Sequence, residues 1–112
     1  MKLTTKPATM LVIDGLLGTP NSLDPIRVIT ENFQPGQGRI IITCWDAAWV
    51  SYWGAMSGNT VENFFIGCDA EYLADNLGCA RSLRQGSNHR AYLIRVIKAV
   101  QEALKELKAN QQ

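Results

Sequence analysis

The chain predicts an α+β fold: a small antiparallel β-sheet of about three strands, followed by two short helices and one long C-terminal helix. Three observations carry this. Runs of β-branched residues punctuated by glycine and proline fill the first half. Helix-start signals at Asn59-Thr60 and at Asp69 open the second half. Leu93, Ile97, Val100, Leu104 and Leu107 then recur at spacings of four, three, four and three, which makes one apolar helical stripe. The 112 residues, 46% apolar and 19% charged, suit a single compact domain over 1–112 with its own core.

Met10-Leu11-Val12-Ile13 ends at the turn pair Asp14-Gly15, so a strand is expected over about 9–14. Leu16 to Pro25 is rich in turn residues and reads as a loop. Ile26-Arg27-Val28-Ile29-Thr30 has strand composition, and Arg39-Ile40-Ile41-Ile42-Thr43-Cys44 has it more strongly. The stretch Gln34-Pro35-Gly36-Gln37-Gly38 between them reads as a loop, which makes 26–33 and 39–46 an antiparallel hairpin. Gly54 and Gly58 interrupt the chain. A helix follows from Thr60, with Val61, Phe64 and Phe65 on one face, and a second from Asp69, carrying Tyr72, Leu73 and Leu77 and ending at Gly78. Residues 80–89 read as a polar loop in which Ser87 or Asn88 can cap a final helix over about 89–108, with a fraying tail.

All three tryptophans fall within one nine-residue stretch, as Trp45, Trp49 and Trp53, with Tyr52 among them. Aromatic side chains bury the most apolar surface per residue and anchor binding surfaces. The run therefore marks the centre of the core or a contact surface. A spacing of four puts the rings on one side of either a strand or a helix; Ala47 and Ala48 favour helix, and Val50 and Tyr52 accept strand. Continuation of the hairpin strand, or a third strand, is the expected form.

Charge is uneven. Residues 1–80 hold four basic and eight acidic side chains, a balance of −4, while 81–112 hold seven basic and two acidic, a balance of +5. Opposed halves permit head-to-tail self-association, so a homo-oligomer is one expectation. The chain lacks a long apolar run and a signal-peptide pattern, which makes no membrane contact and a cytoplasmic setting the expectation. Cys44, Cys68 and Cys79 cannot all pair within one chain, and no CxxC occurs. Reduced, partly buried thiols follow.

Catalytic signatures are weak. His89 is the sole histidine, in a polar stretch beside a helix start, and no pattern brings a cysteine to it. Gly36-Gln37-Gly38 precedes a strand, the wrong order for a phosphate loop. With no catalytic motif and no familiar zinc spacing, the chain reads as not an enzyme, with no metal site and no cofactor. Arg81, Arg84, Arg90, Arg95 and Lys98 could form a basic loop and helix that contact phosphates. Near-neutral overall charge speaks against a binder that relies on counterion release.

The residues Arg39-Ile40-Ile41-Ile42-Thr43-Cys44, Ala48-Trp49, Tyr52-Trp53-Gly54-Ala55-Met56, Thr60-Val61-Glu62-Asn63-Phe64-Phe65 and Tyr72-Leu73 carry a resemblance. In this pattern the chain resembles small uncharacterised accessory proteins of lambda-like temperate phages and enterobacterial prophages. That resemblance implies a setting and brings no family active site. Such proteins commonly act by binding, as anti-CRISPR proteins do. The expected function is a phage or prophage protein that binds a bacterial host protein, such as a CRISPR or other defence complex, and inhibits antiviral defence. Trp49, Tyr52 and Trp53 would be apolar anchors, with Asp46, Glu62 and Asp69 as polar contacts. A nucleic-acid-binding module using the basic loop and helix is the alternative.

Overall fold

The chain order is four strands and then three helices: β1 (Met10–Ile13), β2 (Ile26–Gln34), β3 (Gln37–Cys44), β4 (Ala47–Trp53), α1 (Val61–Gly67), α2 (Ala70–Leu77) and α3 (Asn88–Asn110). The computed structural model describes residues 1–16, 18, 23–45, 47–77 and 88–110. The strands form one antiparallel meander in the order β1-β2-β3-β4. The expected α+β class holds, with four strands where about three were expected. The aromatic run turns back after Cys44 and pairs as a strand of its own, with Cys44 opposite Ala47 and Gly38 opposite Trp53.

The β2–β3 hairpin turns on Pro35-Gly36, with Gly36 at φ 82°. The sequence pattern places Gln37 and Gly38 in a loop; both lie in β3, paired with Gln34 and Asn32. Gly38 is there for space. A Cβ at this position would overlap Val61 Cγ2 and come within 2.6 Å of the Glu31 carbonyl oxygen. The missing side chain lets the first turn of α1 rest directly on the sheet.

Side chains alternate across the strands, so each contributes every second residue to one face. Ile26, Val28, Ile40, Ile42, Cys44 and Trp53 point to the helix side and are buried. Val61 and Phe65 from α1, Leu73, Ala74 and Leu77 from α2, and Leu93, Val96, Ile97, Val100 and Leu104 from α3 complete one continuous core. Each fully buried aliphatic or aromatic side chain there contributes roughly 1.5–3 kcal/mol. Along α3, Val96 joins the expected stripe while Leu107, in the last turn, is exposed.

Polar groups fix the helix ends. Thr60 caps α1, its Oγ1 accepting from Asn63 N at 3.2 Å. Asn32 of β2 accepts from Val61 N at 2.8 Å and donates to Glu62 Oε1 at 2.8 Å, and Thr30 donates to Glu62 Oε2 at 3.0 Å. At the other end, Gln101 of α3 donates to the carbonyls of Phe65 and Cys68 at 3.0 and 2.8 Å, satisfying acceptors that the helix leaves open. Arg90, buried at the start of α3, donates to Asp75 Oδ1 at 2.7 Å and to Glu71 Oε2 at 2.6 Å, tying α3 to α2.

Candidate functional site

All three helices pack on one face of the sheet, and the strand alternation puts a second set of side chains on the other. The register aligns this open face in rows. Met10 pairs with Ile29, Ile29 with Ile41, and Ile41 with Val50. An aliphatic row therefore crosses all four strands, with Met10 47% and Val50 50% exposed at its ends. The next row is Val12, Arg27, Thr43 and Ala48. On the other side lie Glu31, Arg39 and Tyr52.

That last row is organised. Arg39 Nε donates to Glu31 Oε1 at 2.7 Å, and its guanidinium lies 5.5 Å from the Phe33 ring centroid. Phe33 in turn sits 6.1 Å from Tyr52, centroid to centroid, and both rings are exposed. The hydrogen bond from Arg39 holds the Glu31 carboxyl below its ordinary range, and Glu31 raises Arg39 in return. Phe33 stands where the β2–β3 register shifts, between Asn32 and Gln34. Phe33 shares its strand parity with Ile29 and Glu31, which puts its ring on the open side, and the bulge leaves it without a ladder partner.

Trp45 marks the far end. It occupies the β3–β4 turn at φ 56°, a left-handed conformation that is costly for a bulky residue, and its ring is 77% exposed. With Asp24, Pro25, Arg27 and Thr43 it lines a shallow cleft of about 330 Å³ at the edge of the open face. An exposed indole held in a strained turn is the least fold-driven feature of the surface.

The residues expected from sequence scatter. Tyr52 lies on the open face. Trp49 and Trp53 point to the helix side instead. Trp49 is half-buried 6.0 Å from the Tyr92 ring, and Trp53 is buried 5.2 Å from Phe64. The Trp53 indole N–H is buried and finds no acceptor among the described residues. Glu62 is held by Thr30 and Asn32, and the Asp69 carbonyl accepts from Leu73 N at the start of α2. Asp46 lies outside the described residues, as do Arg81 and Arg84 of the alternative basic patch. Arg90 is engaged with two carboxylates, while Arg95 and Lys98 are exposed on α3. Sequence reasoning missed Trp45, Met10, Ile29, Ile41, Val50 and Phe33. Strand alternation was the signal that could have found all but Trp45.

The thiols are part of the packing. Tyr92 donates to Cys44 Sγ at 3.0 Å, and Cys44 donates to the Asp24 carbonyl at 3.6 Å. Burial, and then the bond to Cys44, push the Tyr92 phenol up to about 12. Burial also raises the Cys68 thiol. Among the described residues, no three His, Cys, Asp or Glu side chains group closely enough to hold a metal ion. No helix among them is long and apolar enough to cross a membrane.

Fold and surface together define a small α+β protein in which, among the described residues, helices cover one side of the sheet only. Residues 1–85 match the model of a phage protein family (Phage_phiTE_072), and the chain belongs to that family. The matched stretch includes all four strands, and so the whole open face. No curated protein and no solved structure matches the chain.

Proposed function

We propose that this phage protein is a non-enzymatic accessory factor that binds a bacterial host protein through the open face of its sheet. Inhibition of an antiviral defence system, such as a CRISPR complex, is the outcome we assign to that binding. The setting is a lambda-like temperate phage or an enterobacterial prophage, acting in the host cytoplasm. The observation that carries the reading is the aliphatic row Met10–Ile29–Ile41–Val50, bordered by Tyr52 and Phe33 on one side, with Trp45 beyond the Arg27–Thr43–Ala48 row on the other. Contiguous exposed apolar surface with a polar margin is the character of a protein contact. Aliphatic side chains at its centre suit a protein partner better than nucleic-acid bases, which stack on rings.

The test is a tagged pull-down from nuclease-treated enterobacterial lysate, comparing the parent chain with Ile41→Glu and Trp45→Asn variants. One host protein recovered near stoichiometrically by the parent and lost by both folded variants supports the reading. Equal recovery by all three refutes the assignment of this face. Recovery of nothing after nuclease treatment, but of nucleic acid when the pull-down is repeated without nuclease, supports the basic-helix alternative through Arg95 and Lys98 in its place.

A further inference from the structure

We propose that β4 is a self-association edge: two copies of the chain pair their β4 strands antiparallel about a two-fold axis at Val50, joining two four-stranded sheets into one of eight strands. The inference stands apart from the host-protein reading and rests on different observations.

β4 is an outer strand of seven residues, Ala47-Ala48-Trp49-Val50-Ser51-Tyr52-Trp53, and its ladder partner is β3 alone among the described residues. An outer strand presents a row of unpaired N–H and C=O groups that template pairing with another chain. Proteins blunt such edges with charge, proline, bulges or shortness. β4 has none of these: no charged residue, no proline, and an unbroken register against β3. The opposite edge is protected. β1 is only four residues long and follows Lys6-Pro7.

The register then selects a partner. A two-fold axis normal to the sheet keeps the helix sides of both copies together, so each residue faces one of the same strand parity. Centring on Val50 keeps all seven pairs and sets every large ring opposite a small residue. Tyr52 faces Ala48 of the second copy, Trp49 faces Ser51, and Trp53 faces Ala47. The neighbouring permitted registers keep five pairs, and they set Trp49 opposite Trp49 or opposite Trp53. The strand is complementary to itself in one register, which identifies a second copy of this chain as its occupant. Val50 against Val50 also makes the aliphatic row of the open face continuous across both sheets.

The experiment is sedimentation equilibrium of the purified full chain at about 100 µM, a concentration that detects micromolar association. The expected mass is twice the 12.4 kDa of one chain. Val50→Lys places two like charges directly opposite each other at the axis and returns the mass to one chain. Val50→Glu does the same, and an equal mixture of the two variants restores the doubled mass. Val50 is half exposed, so both variants keep the parent circular dichroism. Met10→Lys, on the same open face but at the far edge, leaves the dimer intact. A parent chain at single mass, or a mixture that fails to re-pair, overturns the proposal. Loss of the dimer in Met10→Lys also overturns it, because it would mean that the sheets associate face to face. Every readout uses the purified chain alone, so failure here is distinct from failure of host-protein binding.

Discussion

Replacing Trp45 with asparagine separates what the fold needs from what a partner needs. The left-handed backbone at φ 56° costs a side-chain-bearing residue about 1–2 kcal/mol, and asparagine tolerates it far better. Against that relief stands the loss of the indole's contacts. The ring is 77% exposed, so only about a quarter of a tryptophan's 150–250 Å² is buried, worth about 1 kcal/mol. The two effects nearly cancel, and the net change runs from zero to about 1 kcal/mol of added stability. For a chain of this length that is a rise in Tm of up to about 4 °C. Urea unfolding at neutral pH gives the free energy, and the pull-down with the same variant gives binding. A tryptophan that mattered to the core would cost about 3–5 kcal/mol when truncated. A loss of 2 kcal/mol or more therefore refutes the argument that Trp45 is displayed at the expense of the fold. Unchanged partner recovery by a fully stable variant refutes its role in contact.

Three further outcomes follow from the packing. Gly38→Ala forces a methyl group against Val61 and the Glu31 carbonyl, an overpacking cost of about 1–3 kcal/mol that exceeds the 0.4–1 kcal/mol gained by restricting the unfolded chain. In that background Val61→Ala should cost far less than it does alone, and strict additivity in a double-mutant cycle would contradict the geometry. Thr60→Ala removes the cap from α1 and lowers stability by about 1 kcal/mol, read from the denaturation midpoint at constant m-value. Tyr92 has a phenol raised from 10 to about 12, so the unfolded chain loses that proton first. The associated stabilisation is complete below pH 10 and disappears as pH rises towards 12. Tyr92→Phe should flatten the alkaline decline in urea stability over that window, and an unchanged slope would remove the assignment.

The class of fold was legible because it depends on periodicity. Ile40, Ile42 and Cys44 alternate, and the α3 stripe repeats at helical spacing; both patterns report one-sided burial without reference to distant residues. The candidate surface was harder to read because aromatic content alone does not say which way a strand faces. Trp49 and Trp53 share a parity with Ser51, while Tyr52 shares one with Val50; that split decides core against surface only once the run is a strand, and its four-residue spacing fits a helix as well. Gly38 misled for a related reason. Read locally, it belongs to a turn, but its role is to accommodate Val61, 23 residues further along the chain. Glu62 looked like a surface contact because Thr30 and Asn32, its partners, come from β2.

The open aliphatic row can be tested for a purely structural purpose. The core is assembled on the helix side, so Met10 and Val50 stabilise the sheet only through cross-strand neighbours, each pair worth about 0.2–1 kcal/mol. Threonine keeps the β-branch of Val50 and introduces one at Met10, so strand propensity is held at both positions while the surface becomes polar. The double variant Met10→Thr, Val50→Thr should therefore unfold within about 1 kcal/mol of the parent, since each outer residue keeps its place in the ladder. Its recovery of the host partner should fall sharply, because the row would lose apolar character at both ends. If stability instead drops by more than about 2 kcal/mol, the row serves as cross-strand cement and its exposure needs no partner. A stable variant that no longer binds would leave the opposite conclusion: the apolar row is retained on an exposed sheet, with the aggregation hazard that brings, for a contact made outside the fold.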